Sequence, residues 1–333
     1  MIRIAMLSCG HVHTRGYCNA IAERDDCELL AVWDDMPERG KAFAADFEAE
    51  YSGDLPATVA RDDVDAFVIC AENTRHLPLL AAAVPACRPI FCEKPFTTTA
   101  ADAREAMTLI REHGTTVHMG YGQPFSAGQR GVMKLLADGR LGKVTHARLR
   151  NSHHAAYGRW FDAPANAWFT DPALAGGGAF MDMGTHAVHA LRTLLGPVER
   201  VWARIDNVSG VYPDVDDRGI ALLQFACGVL GTVEAAWVQT GGIGGLEITG
   251  SEATVFQMPG QGLMLAAPGK DAEPVAPGEA SPTGVARLVA AVNGELTADE
   301  LAADLACAAD AVAIMEACYR SSDSGTWTDV PEV

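Results

Sequence analysis

Glu93-Lys94-Pro95 follows directly on the apolar run Pro89-Ile90-Phe91-Cys92, which sets a carboxylate and an ammonium at the end of a segment that reads as a buried strand. Charge there is costly. Strands this apolar are usually covered on both faces, and a lysine at the carboxyl edge of an open parallel sheet stands where such sheets hold their ligands. Burial also moves a lysine's pKa, which suits it to hydrogen-bond or proton work. The competing reading is a surface ion pair at a strand end.

A second group lies in Gly176-Gly177-Gly178-Ala179-Phe180-Met181-Asp182-Met183-Gly184-Thr185-His186-Ala187-Val188-His189. Asp182, His186 and His189 are four and three apart, so on a helix they form one stripe. Met181, Met183, Ala187, Val188, Ala190, Leu191, Leu194 and Leu195 surround it, which describes a helix buried on most sides. An Asp–His pair satisfying itself in a core is the bland alternative. The glycine triplet favours a site, since backbone at a helix start can approach a ligand closely.

The elements that carry these groups begin with a strand at 1–7, the loop Ser8-Cys9-Gly10-His11-Val12-His13, a helix over about 14–24 and a second strand at 28–33 ending in Asp34-Asp35. That is a βαβ unit. Asp34 lies 24 residues beyond Gly10, near the offset of about 20 expected for a carboxylate that holds the adenosine ribose of a dinucleotide. Such a carboxylate repels a 2′-phosphate, so NAD is expected over NADP. The loop departs from the glycine fingerprint: Ser8 replaces the first glycine and His13 the third, and only Gly10 keeps its place, where backbone meets the pyrophosphate. His11-x-His13 raises a metal site, but no carboxylate or cysteine stands near them at a ligand spacing. No metal is expected, and His13 is assigned to fill space at the helix start.

Further strands at 66–70, 89–92 and 116–119 alternate with helices, among them 100–113 with Thr99 and Asp102 at its cap. A parallel doubly wound sheet is predicted over residues 1–121. Residues 122–333 change grammar: strands at 144–151, 198–206, 218–227, 229–239, 245–250 and 254–258 are joined by short turns, a helix over 298–319 starts at Thr297-x-x-Glu300, and 259–282 read as loops or an excursion with weak strands. The expected architecture is an α/β domain followed by an α+β domain with a large, mostly antiparallel open sheet.

With 333 residues, two domains are the natural expectation. The net charge of −18 excludes nucleic acid and anionic membranes as partners, and no apolar run reaches the length of a membrane span. Nine cysteines without a CxxC pair, in a chain whose first strand leaves no room for an export signal, point to reduced thiols and a cytoplasmic protein.

Glu93-Lys94-Pro95, Asp34, the glycine triplet with Asp182-x-x-x-His186, and Tyr319-Arg320-Ser321-x-x-Ser324-Gly325, taken in order, resemble the glucose-fructose oxidoreductase / inositol dehydrogenase / rhizopine catabolism family over nearly the whole chain. The resemblance implies a Rossmann domain for NAD or NADP, a second domain whose open sheet makes homodimers or homotetramers, and redox chemistry on a secondary alcohol of a sugar, polyol or cyclitol. It implies Lys94, Asp182 and His186 as catalytic residues and a cis Lys94-Pro95 bond. Gly10, His11, Val12, Asp34, Asn73, His76, Glu93, Lys94 and Trp168 are the implied cofactor contacts.

Oxidising a CHOH group needs a base opposite the nicotinamide, a role that His186 or Lys94 could fill, with Asp182 orienting the imidazole or binding a neighbouring hydroxyl. Tyr121, Gln123, His153, Tyr157 and His189 are weaker substrate candidates; His153 and Tyr157 read better as exposed loop residues than as pocket groups. The chain departs from the family pattern at His189, where a second aspartate is common, and at Pro124, where an arginine is. Two other functions stay open: a glycoside hydrolase that oxidises its sugar transiently with bound NAD, and a nucleotide-binding regulator without turnover.

Overall fold

The computed structural model describes all 333 residues. Six strands, β1 (Ile2–Leu7), β2 (Cys27–Trp33), β3 (Glu50–Ser52), β4 (Ala66–Ile69), β5 (Ile90–Cys92) and β6 (Val117–Met119), form a wholly parallel sheet in the order β3-β2-β1-β4-β5-β6. Helices α1 (Thr14–Ala22), α2 (Pro37–Asp46), α3 (Leu55–Val59), α4 (His76–Ala83) and α5 (Ala100–His113) make the crossovers. Every residue of β4 and β5 is fully buried, as expected of strands covered on both faces. The order reverses between β1 and β4, so the loops after β1, β4 and β5 open into one crevice. The sequence pattern misses β3, a three-residue edge strand of mixed polarity.

The second sheet has nine strands. Helix α6 (Ala127–Ala137) leads into β7 (Val144–Ser152); α7 (Pro172–Ala175) and α8 (Thr185–Leu195) follow. Then come β8 (Val198–Asp206), β9 (Arg218–Phe225), β10 (Leu230–Ala236), β11 (Gly245–Gly250), β12 (Thr254–Met258), β13 (Gly262–Ala266) and β14 (Glu273–Pro274), with β15 (Thr328–Asp329) closing the far edge. Their order is β14-β13-β12-β11-β7-β10-β9-β8-β15, antiparallel except where β7 meets β10. The stretch 259–282, expected as loops or an excursion with weak strands, takes the second form: β13 and β14 lengthen the sheet by two strands. β9 alternates buried with exposed positions, so one face lies under helices and the other is open.

The chain then returns to the first sheet. Val285, Leu288 and Val289 of α9 (Gly284–Val292) share a core with Ile4, Met6 and Val68. In α10 (Ala298–Ser324), Leu305, Ala308, Ala309 and Val312 pack with the first sheet, whereas Ala311, Ile314, Met315, Ala317 and Cys318 pack with the second. A helix apolar on nearly every side can serve two cores at once. It fixes the two sheets relative to each other, and with them the groups at their junction.

Candidate active site

β5 delivers Glu93 and Lys94 into the crevice. The Glu93 amide still donates to Ile69 across the sheet (2.9 Å), and the Lys94-Pro95 bond that follows is cis, as the resemblance implies. His76, expected beside the cofactor, lies fully buried beneath this turn, with Nδ1 2.6 Å from the Pro95 carbonyl and Nε2 3.2 Å from that of Ala71. Lys94 is itself only 3% exposed, and its Nζ donates to Asp182 Oδ1 at 3.2 Å. Trp237 Nε1 donates to the other oxygen, Oδ2, at 3.0 Å. Burial works against ionisation of Asp182, but the Lys94 charge and the Trp237 hydrogen bond prevail and hold it below the usual carboxylate range.

Asp182 sits in a π-helical turn, Phe180–Gly184, that runs into α8. Such turns often mark functional positions. The carboxylate of Asp216 anchors this one by accepting from the amides of Gly178 (2.8 Å) and Phe180 (2.7 Å) and from the Tyr319 hydroxyl (2.8 Å), while Tyr319 accepts from the Met181 amide (3.0 Å). A Cβ on Gly178 would fall 2.0 Å from the Asp216 carbonyl oxygen, and one on Gly177 would fall 2.4 Å from the Tyr319 hydroxyl. Gly176 has φ of +72°. The triplet thus serves the protein's approach to itself rather than to a ligand, which corrects the sequence expectation.

His186 is partly buried and meets Tyr121 edge-on, with ring centres 5.9 Å apart. Burial, and then the Lys94 ammonium, push its pKa down to about 4 against the pull of Asp182. The ring is neutral at ordinary pH. No hydrogen bond joins it to Asp182, whose carboxylate accepts from Lys94 and Trp237. The third member of the stripe goes elsewhere. His189 is buried and stacks on Tyr121 at 3.8 Å, lining a cavity of about 160 Å³ with Arg287 and Asp304. Tyr121, whose hydroxyl pairs with Thr185 Oγ1 at 2.7 Å, stands as a wall between His186 and His189.

The remaining substrate candidates divide. His153 is half-buried, its pKa lowered by burial and influenced by the charges of Asp182 and Lys94, whereas Tyr157 is 53% exposed. Gln123 is exposed and borders a separate cavity of about 370 Å³ with Gln129 and Arg150.

At the glycine loop, Ser8 takes φ of +72° where the fingerprint has its first glycine. Asp34 is buried, and both of its oxygens are engaged: Oδ2 accepts from the Cys9 amide (2.7 Å) and Arg39 Nε (2.8 Å), and Oδ1 from the Met36 amide (2.7 Å). Arg39 Nη1 continues to Glu72 at 2.8 Å, and the Glu72 carboxylate lies so near Gly10 that a Cβ there would fall 2.6 Å from it. Neither Arg39 nor Glu72 belongs to any local motif, and only the tertiary fold reveals them. Trp168 reaches over from the second domain to donate to the Gly10 carbonyl (2.9 Å), and Asn73 Nδ2 donates to the Ala175 carbonyl (2.9 Å). His11 is buried, whereas Val12 is 46% exposed at the loop tip. His13 does not fill space: half-exposed, it turns its Nδ1 to within 3.4 Å of a Glu93 oxygen that also accepts from Tyr17.

Two family profiles match the chain. One, described as an oxidoreductase family with an NAD-binding Rossmann fold, covers residues 2–121; the other, described as a GFO/IDH/MocA C-terminal domain, covers 130–256. A 1,5-anhydro-D-fructose reductase of Ensifer adhaerens is 27% identical over 80% of this chain and 81% of its own length. An inositol 2-dehydrogenase of Acidothermus cellulolyticus is 28% identical over 83% and 78%. The crystal structure of an inositol dehydrogenase homologue from Azotobacter vinelandii, complexed with NAD+, superposes with a TM-score of 0.83 at 22% identity, covering 98% of this chain and 97% of that one.

Two outcomes are expected from this geometry. Gly178→Ala drives a methyl into the Asp216 carbonyl and lowers the free energy of unfolding by about 1–3 kcal/mol or more, read as a shifted denaturant midpoint with an unchanged slope. In NMR titrations the His186 ring signals stay flat from pH 8 to about 5.5 and move only near pH 4. A midpoint near the ordinary value of about 6.5 would mean that the ring is neither buried nor beside the ammonium.

Proposed function

The chain belongs to the GFO/IDH/MocA oxidoreductase family, and from that footing we propose that it transfers a hydride between NAD and a secondary alcohol or ketone of a sugar, polyol or cyclitol. The observation that carries this reading is the Lys94–Asp182 pair, an ammonium and a carboxylate from different domains meeting at 3.2 Å at the edge of the parallel sheet.

The loop residues fit a dinucleotide. Gly10 has no side chain to block a pyrophosphate, and Asn73 holds a buried amide oxygen without a partner, free to accept from a ribose hydroxyl. Glu72 must yield to that pyrophosphate, and its link to Arg39 gives the movement a guide. NAD is preferred over NADP because three carboxylates, Asp34, Asp35 and Glu72, already share the guanidiniums of Arg39 and Arg75, leaving the neighbourhood negative where a 2′-phosphate would come. Bound NAD supplies the hydride acceptor. Lys94 then donates to the reacting oxygen and stabilises the alkoxide character that develops there. His186, neutral and therefore able to accept, takes the hydroxyl proton. Asp182 keeps Lys94 aimed, and His153 borders the substrate. In this reading residues 1–121 hold the cofactor, and 122–333 supply the substrate groups and self-association.

The open face of the second sheet carries Ile220, Leu222 and Leu230, 49%, 39% and 53% exposed, and a second copy covering it would remove them from water. No helix is long and apolar enough to cross a membrane, and all nine cysteines are unpaired, which suits a reducing, cytoplasmic setting.

A screen of free sugars and cyclitols should yield net NADH formation with at least one compound. Release of sugar from a glycoside without a net change in NADH would transfer the chain to the hydrolase reading. Lys94→Ala should cut turnover by orders of magnitude and leave NADH affinity within about tenfold, about 1.4 kcal/mol, by fluorescence titration; unchanged turnover would discard Lys94 as a catalytic residue. NADH should bind more than tenfold more tightly than NADPH. The double variant Ile220→Asp/Leu222→Asp should run as a monomer in light scattering where the native chain runs as a dimer or tetramer.

A further inference from the structure

His11 and His13 share the turn between β1 and α1, and Glu93 ends β5. The structure brings the three together from positions 80 residues apart, with one donor atom of each within 4.8 Å of the others. Two of these groups are almost wholly buried, His11 at 3% and Glu93 at 0% exposure, and each keeps a buried polar atom, His11 Nε2 and Glu93 Oε1, without a hydrogen-bond partner. Buried polar atoms are almost always satisfied, so two adjacent orphans on metal-ligating side chains point to a ligand between them.

We propose that His11, His13 and Glu93 bind a divalent cation of the zinc class beside Lys94. Two imidazoles and one carboxylate are a known donor set for zinc, which leaves a fourth position for water or an alcohol oxygen. His13 Nδ1 lies 3.4 Å from Glu93 Oε2, so this imidazole already stands at the carboxylate. Tyr17 holds Oε2, which leaves Oε1 to face the ion. Ligation at His11 Nε2 moves the ring proton to Nδ1 and gives up the long 3.2 Å contact from the His13 amide, a single neutral hydrogen bond. His13, half-exposed, can rotate onto an arriving ion and provides its path from solvent.

The test needs no turnover, so its failure is separate from failure of the redox reading. Protein stripped with a chelator is titrated with Co²⁺ while the visible d–d bands are followed. One Co²⁺ per chain is expected, with bands of a four- or five-coordinate site that Zn²⁺ abolishes. His13→Ala and Glu93→Gln should each weaken Co²⁺ binding at least tenfold, whereas His154→Ala, on an exposed loop, should leave it unchanged. Sub-stoichiometric uptake by the native chain overturns the proposal whatever the variants do. So does full uptake by the two variants with native affinity, which would place the ion elsewhere.

Discussion

An ammonium and a carboxylate taken out of water together hold the functional geometry of this chain. Removing two charges from solvent costs several kcal/mol each, and their mutual attraction repays it only where geometry is good and the remaining donors and acceptors are satisfied. Lys94 and Asp182 meet that condition through Trp237, which takes the carboxylate's second oxygen. The pair is therefore weak as a source of stability and strong as a constraint. It is satisfied only when β5 of the first sheet and the π turn of the second domain meet in one arrangement.

The rest of the architecture maintains that meeting. His76 braces the turn after Lys94 from below, and Asp216 with Tyr319 clamps the glycine triplet ahead of Asp182. α10 lends one apolar surface to each core, so the sheets cannot slide without disrupting both. Trp168 and Asn73 add direct hydrogen bonds between the cofactor loops and the second domain. The same closeness sets the chemistry: the ammonium that fixes Asp182 as an anion helps to keep His186 neutral, so one charge prepares two neighbours.

Much of this was legible in the residues because the signals are local. The buried strands read as apolar runs, α5 announces itself by Thr99 and Gly114, and the spacing of Asp182 and His186 places both on one helical segment. What could not be read depends on distance in the chain. Arg39 and Glu72 look like ordinary surface charges until the fold stacks them against Asp34 and Gly10, and Asp216 is one loop acid among several until it collects three donors. His189 followed the helical stripe in sequence, yet Tyr121 separates it from His186, because a periodicity tells which face a residue shares and not what stands in front of it. The edge strand β3 and the strands β13 and β14 lack the apolar alternation that marks interior strands, so pairing rather than composition defines them. His11 and His13 raised a metal site on their own, but Glu93, the carboxylate that the fold sets beside them, comes from another strand.

The central claim is that Lys94 and His186, from opposite domains, border one reaction space at the nicotinamide. A structure of the chain crystallised with NADH tests it most directly. The account predicts the reactive ring carbon facing a space lined by Lys94 and His186, with room for a substrate oxygen at about 3 Å from each. A nicotinamide ring seated away from both side chains, or with its reactive face turned from them, would contradict it.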